Sequence, residues 1–134
     1  MRKQPPSPAG ERHLRATSRW ASLQHAVRGL QVLFGQPNAR IQAAAAAAAC
    51  GFGWGFNINA TEWLAVIGAI AMVLGAEALN TAIECTVDLA SPNLHPLARD
   101  AKDVAAAAVL LCSAASVLIG FVIFGPRIWV MLAA

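Results

Sequence analysis

Charged residues are scarce in this sequence of 134 residues, where they make up 13% of the chain and hydrophobic residues make up 57%. So small a share of charge excludes an ordinary soluble domain of this size and favours an integral membrane protein. The basic residues are not interleaved with aromatic ones, which argues against nucleic-acid binding. The three cysteines lack CxxC spacing, so free thiols fit the pattern better than a disulfide framework or a metal cluster.

Three apolar blocks lie at about 41–58, 63–87 and 104–124, each near the length of about 20 residues that crosses a bilayer. The third block contains 21 residues without a charge and is typical of a spanning helix. The first is rich in alanine, and alone it also fits a buried soluble helix or a low-complexity tract. We predict an all-α membrane protein with three transmembrane helices in a single domain, 13–134.

The basic residues are distributed unevenly around these blocks. Of the ten Lys and Arg residues, seven precede the first block, two lie between the second and third, and one follows the third. The positive-inside rule then places the N-terminus and the second connector in the cytoplasm and the C-terminus outside. The formal net charge of +3 is interpreted as a sign of this topology and of contact with anionic lipid headgroups.

The segment before the first block divides into a tail and a helix. Residues 1–12 are polar and rich in proline, and we predict that they form a disordered cytoplasmic tail. Within about 14–34, five apolar residues follow helical spacing: Trp20, Leu23, Val27, Leu30 and Phe34. This pattern predicts an amphipathic helix on the membrane surface, with a helix packed on the ends of the bundle as the alternative. The "GQPN" at 35–38 is expected to break it.

The second block contains the stretch "EALNTAIECTVD", with Glu77, Asn80, Glu84 and Asp88. An ionisable group inside a membrane helix costs about 2.5–3.5 kcal/mol. At 100° per residue, Glu84 and Asp88 lie within about 20° of Glu77, and Asn80 lies about 60° away. One face of the helix is therefore polar. The alternative to a functional role for these polar side chains is that they only form hydrogen bonds between helices.

The spacing along this face separates two roles. Glu77 and Glu84 are about 10 Å apart along the helix axis, too far to hold one ion together in a simple way. Glu84 and Asp88 are one turn apart, about 6 Å, and can surround one divalent cation, which prefers oxygen ligands. Glu77 lies deeper among apolar neighbours and suits a base that accepts a proton.

The connector after this block carries a second polar cluster. In "RDAKD", Lys102 can meet a phosphate, and Asp103 can assist a metal or cap the next helix. Asn93 and His95 lie in the turn just before it. The sequence contains neither a GxxxxGK[ST] loop nor a protein-kinase signature. Residue types alone therefore predict membrane helices with a cluster of carboxylates that is compatible with Mg-nucleotide.

The stretch "EALNTAIECTVDL", followed by "HPLARDAKDVAAAAVLL", resembles the bacterial diacylglycerol kinase and undecaprenol kinase family of small integral-membrane lipid kinases. The resemblance covers about 22–125. It implies a homotrimer in the bacterial cytoplasmic membrane, with active sites between subunits. It also implies Mg²⁺-dependent transfer of the γ-phosphate of ATP to a membrane lipid alcohol, either diacylglycerol or undecaprenol.

The same resemblance implies a role for each matching residue. Glu77 corresponds to the catalytic base, Asn80 to the polar residue that supports it, and Glu84 to a ligand of the metal and of ATP. Further contacts with the nucleotide are implied for five residues: Asn93, Leu94, His95, Lys102 and Asp103.

Three positions depart from the family pattern. Gln36 stands where a glutamate commonly binds the metal, so we predict weaker metal binding or a site completed by Asp88 or Asp103. Gln42 replaces a usual histidine, and Ala107 a common glycine. A non-enzymatic membrane subunit with a buried carboxylate relay is the competing interpretation. A soluble bundle would fit the alanine content but not the uneven distribution of charge.

Overall fold

The computed structural model describes residues 19–91, 93 and 95–133, and these residues form four α-helices and no strand. The helices are α1 (Arg19–Gly35), α2 (Pro37–Gly55), α3 (Ala60–Ala90) and α4 (Pro96–Ala133). The prediction of an all-helical protein is confirmed. The tail predicted at 1–12 lies outside the described residues.

The chain divides after Val32 into two units. The described part of the first unit is α1 as far as Val32, and the apolar side chains predicted to follow one face of this helix are exposed. Trp20 is 68% exposed and Leu23 is 54% exposed. An amphipathic helix at a membrane surface stays a prediction.

Local sequence explains where the helices begin and end. The chain bends at Gln36, and Pro37 occupies the first turn of α2, where a missing N–H group does no harm. α2 ends at Gly55, before the end of the predicted block at 58, and Asn57 adopts the left-handed conformation in the turn (φ 50°). Asn59 and Glu62 then form a reciprocal capping box that begins α3.

The second unit contains α2, α3 and α4. α3 packs mainly against α4, and α2 packs mainly against α3. Three side-chain contacts join α4 to α3 at successive levels: Arg127 to Glu62, Ser116 to Ala69, and Lys102 to Asp88. Residue numbers rise along α4 as they fall along α3, so the two helices are antiparallel.

Within the described residues, α3 and α4 are long and apolar enough to cross a membrane. They contain 31 and 38 residues, or about 46 and 57 Å at 1.5 Å per residue, against a hydrocarbon thickness of about 30 Å. Large apolar side chains on α4 are exposed, among them Phe121 and Val122. Such a surface is typical of an integral membrane protein. The span predicted at about 41–58, of which all but the last three residues lie in α2, stays a prediction.

The end of the unit at the α2–α3 turn is held by an apolar cluster and an ion pair. The buried members of the cluster are Ile58, Val66, Ile123 and Phe124. Beside them, Nη2 of Arg127 donates to both carboxylate oxygens of Glu62, at 2.9 and 3.0 Å. The two side chains are 31% and 22% exposed, so water screens the pair only in part.

Replacing Arg127 by Met is expected to lower the free energy of unfolding by about 1–3 kcal/mol, because the half-buried carboxylate of Glu62 loses its charged partner and keeps only the backbone N–H of Asn59 as a donor. The matched control is Arg99→Met. Arg99 lies 3.6 Å from Asp103 in a pair whose side chains are 83% and 69% exposed, and such pairs contribute about 0–1 kcal/mol. Unfolding in detergent micelles measures both variants. Equal losses of stability in the two variants would show that the Arg127–Glu62 pair does not stabilise the end of the unit at the α2–α3 turn.

Candidate active site

Glu77, on α3, is buried where this helix packs against α2. Its exposed fraction is 2%, and Nε2 of Gln42 on α2 donates to Oε2 of Glu77 at 3.1 Å. Gln42 is half-buried. A carboxylate this far from water requires such a donor. Glu77 is therefore a buried carboxylate whose hydrogen-bond donor comes from a neighbouring helix, and its role as a base stays a prediction.

Two polar side chains beside Glu77, those of Asn80 and Thr81, do not donate to its carboxylate. Asn80 lies one turn further along α3 and is 6% exposed. Its Nδ2 donates to Oε1 of Glu84 at 2.9 Å, so its amide contacts Glu84 rather than Glu77. The hydroxyl of Thr81, which is also buried, donates to the carbonyl oxygen of Glu77 at 2.9 Å.

Two acceptor atoms in this region lack a donor within the part of the chain that the structure describes. They are Oε1 of Gln42 and Oδ1 of Asn80. Both belong to amides whose nitrogen already donates to a carboxylate. The two amides therefore have fixed orientations, since exchanging oxygen and nitrogen would set an oxygen against a carboxylate.

A polar hollow of about 300 Å³ lies at the α3–α4 turn. Seven of the residues that line it carry charged or polar side chains: Asp88, Ser91, Asn93, His95, Arg99, Lys102 and Asp103. Nζ of Lys102 donates to Oδ1 of Asp88 at 2.5 Å. The structure thus brings together five of the residues predicted to bind metal or ATP. Leu94 lies outside the described residues.

The turn residues of the polar hollow have local roles as well. Nδ1 of His95 accepts from the backbone N–H of Leu97 at 3.2 Å, which satisfies one donor at the start of α4. The carbonyl oxygen of Asn93 accepts from the hydroxyl of Ser91 at 3.0 Å. The other nitrogen of His95 and the side-chain amide of Asn93 remain suited to a ligand.

The candidate metal ligands do not form a cage of protein atoms. In the described ranges, no group of three or more His, Cys, Asp or Glu side chains could hold a metal ion. Gln36 directly precedes α2 and makes no side-chain capping bond. Gly53 lies against Trp63 and Gln42 contacts Glu77, so α2 and α3 are antiparallel. A register that pairs 42 with 77 brings Gln36 to about the level of Glu84.

Sequence reasoning noticed Gln42 only as a departure from a family pattern, and it did not assign Gln42 to Glu77. It also missed Thr81. Arg99 is the first residue of the "RDAKD" segment and had no predicted site role. The spacing within α3 could not reveal Gln42, because it lies 35 residues before Glu77 and on another helix.

The fold and the site together define an integral membrane protein in which one helix carries a buried carboxylate and leads to a polar hollow with basic and acidic side chains. Comparison with known proteins agrees with this description. The family profile "Prokaryotic diacylglycerol kinase" matches residues 24–124.

Two relatives are similar in sequence. The undecaprenol kinase of Bacillus subtilis (strain 168) is 40% identical over 108 residues, which cover 80% of this chain and 88% of the relative. The diacylglycerol kinase of Synechocystis sp. (strain ATCC 27184 / PCC 6803 / Kazusa) is 48% identical over 58 residues, 42% of this chain and 32% of that protein. The chain belongs to the prokaryotic diacylglycerol kinase family and is a lipid kinase.

Proposed function

We propose that this lipid kinase transfers the γ-phosphoryl group of ATP to the hydroxyl of a membrane lipid alcohol, with Glu77 as the base. The observation that carries the proposal is the separation of the buried Glu77 from the polar hollow along the same helix. In this proposal the lipid hydroxyl approaches Glu77 from the membrane, and ATP approaches the polar hollow from water.

Undecaprenol is the first candidate for the acceptor. The relative that matches this chain over 88% of its own length is an undecaprenol kinase. Diacylglycerol is the second candidate, because the shorter match is to a diacylglycerol kinase. The product would be undecaprenyl phosphate in the first case and phosphatidic acid in the second.

Lys102 is the main candidate for binding the phosphates of ATP. Its ammonium group has three N–H donors, of which one is directed to Asp88. The others can contact phosphate oxygens, and Arg99 adds positive charge on the same wall. Four further residues are proposed to contact the nucleotide: Asn93, Leu94, His95 and Asp103.

The acidic residues near the polar hollow fit Mg²⁺. This ion is usually held by one or two carboxylates together with phosphate oxygens and water, and Glu84 and Asp88 supply two carboxylates one turn apart. Asp88 shares only Oδ1 with Lys102, which leaves Oδ2 for the ion. Gln36 would add an amide oxygen. Bound Mg²⁺ would neutralise charge on the phosphates.

Glu77 acts at the lipid end of the site. The proton of the lipid hydroxyl passes to its carboxylate, while the lipid oxygen bonds to the γ-phosphorus and the bond from that phosphorus to the bridging oxygen of ADP breaks. Asn80 holds Glu84 through a hydrogen bond of 2.9 Å. Positioning of the two substrates supplies most of the rate.

The remaining features of the proposal concern the membrane. We infer three spans, with α2 as the first, and a location in the bacterial cytoplasmic membrane with the N-terminus inside and the C-terminus outside. The distribution of Lys and Arg supports this topology. A homotrimer with α1 on the cytoplasmic membrane surface follows from the family resemblance, and the exposed apolar faces of α3 and α4 offer surface for subunits as well as for lipid.

Glu77→Gln is expected to lower lipid phosphorylation about 100- to 10,000-fold, because an amide cannot accept the hydroxyl proton. Purified protein in nanodiscs is supplied with Mg²⁺, labelled ATP and either undecaprenol or diacylglycerol, and labelled lipid is measured. Glu62→Gln is the matched control, since it removes a carboxylate from the same helix about 22 Å away.

The wild type and Glu62→Gln should both label at least one acceptor. If the wild type labels neither undecaprenol nor diacylglycerol, the kinase proposal is contradicted and a non-enzymatic membrane subunit is favoured. Unchanged labelling by Glu77→Gln would show that another group is the base.

Gln36→Glu is expected to lower the Mg²⁺ concentration for half-maximal activity by roughly 3- to 10-fold, because a carboxylate adds charge to the ligand set. Gln24→Glu adds the same charge at an exposed position of α1 and should change nothing. The titration of activity with Mg²⁺ measures both variants. No gain for Gln36→Glu would show that Gln36 is not a metal ligand.

A further inference from the structure

Gln42 is the donor that α2 supplies to the buried carboxylate of α3. Its Nε2 lies 3.1 Å from Oε2 of Glu77. Within the described residues, no other side chain donates to this carboxylate. The contact joins residues that are 35 positions apart in sequence, so it depends on the register between the two helices.

The chemistry of an amide suits this contact. A glutamine N–H donates at every pH, and the group carries no charge of its own. It can therefore stabilise the carboxylate of Glu77 without competing with it for the proton. A glutamate side chain has several rotatable bonds, and a hydrogen bond to one oxygen restricts the directions in which the other can point.

We propose that Gln42 is a positioning residue for the phosphoryl transfer: it holds Oε2 of Glu77 and directs Oε1 toward the hydroxyl of the lipid. This inference rests on the function proposed above. The O–H bond of the lipid breaks as Oε1 takes the proton, the lipid oxygen bonds to the γ-phosphorus, and ADP leaves with the electrons of the broken P–O bond.

The surroundings of Gln42 agree with this role. Gln42 lines an apolar cavity of about 240 Å³ between the helices, together with Ala45 and Ala49 from α2 and Ser113 from α4. The alanines cannot donate hydrogen bonds. Asn80, the other amide near Glu77, uses its N–H on Glu84. The two amides thus serve two different carboxylates, one at the lipid end and one near the polar hollow.

Three variants test the proposal in the full-length protein. Gln42→Met keeps the length of the side chain and removes the donor. Gln42→His keeps an N–H donor. Ser113→Ala removes a polar group from the same cavity without touching Glu77, and it is the matched control. The readouts are kcat, the KM for ATP, and thermal unfolding in detergent.

Gln42→Met should lower kcat about 10- to 100-fold, the usual size of a lost hydrogen bond to a charged group, and leave the KM for ATP within about twofold. Gln42→His should recover most of the loss, and Ser113→Ala should match the wild type. Wild-type kcat in Gln42→Met, or losses in kcat, KM and stability together that histidine does not restore, would overturn the proposal.

A second measurement uses Glu77→Gln as the background. If Gln42 acts through Glu77, adding Gln42→Met to Glu77→Gln should lower the residual rate by less than about twofold, because residues that act as a unit are not additive. A full further loss would show that Gln42 acts elsewhere and overturn the proposal. Lack of lipid labelling by the wild type would instead defeat the kinase function, which separates the two failures.

Discussion

A buried carboxylate on α3 needs a hydrogen-bond donor, because a charged group among apolar helices is unstable without one. The four carboxylates that α3 contains each have a donor, and three of the donors come from other helices: Arg127 for Glu62, Gln42 for Glu77, Asn80 for Glu84 and Lys102 for Asp88. The donors at the two ends of the series are cations and those between them are neutral amides. This order is physically reasonable, since a full positive charge is less costly near the ends of a span than within it.

These contacts also set the register of the unit. The half-buried Arg127–Glu62 pair and the more exposed Lys102–Asp88 pair join α4 to α3 at its two ends, and Gln42 joins α2 to α3 between them. A shift of one residue along any helix would turn a donor away from its carboxylate. The site and the fold therefore depend on the same hydrogen bonds, and substitutions at the site have to be tested for stability as well as for rate.

Reasoning within one stretch of sequence reached further than reasoning between helices. Turn chemistry predicted the break between α1 and α2 near Gln36, which the structure confirms. The 100° step predicts that Glu77, Glu84 and Asp88 share one face of α3, which is helical over all three residues. The family resemblance, carried by the acidic stretch and the turn that follows it, was confirmed by the comparisons. The partners Gln42 and Arg127 lie on helices distant in sequence, and no local pattern reveals which residues meet across an interface.

Asn80 is another residue whose hydrogen-bond partner the sequence did not identify, although both candidate partners lie on the same helix. It lies three residues after Glu77 and four before Glu84, and both spacings allow contact on a helix. The resemblance implied support for Glu77, whereas the structure directs its amide to Glu84. The support of Glu77 comes from α2 instead, at a position where the family commonly has a residue of different chemistry.

The central claim is that one helix carries two separate sites, a base for the lipid hydroxyl at Glu77 and a place for Mg-ATP at the polar hollow. Binding of a non-hydrolysable ATP analogue with Mg²⁺, measured by calorimetry on Glu77→Gln and Lys102→Met, tests it directly. The account predicts that Glu77→Gln binds the analogue within about twofold of the wild type and that Lys102→Met binds it about 10-fold or more weakly. Equal loss of affinity in both variants would contradict two sites.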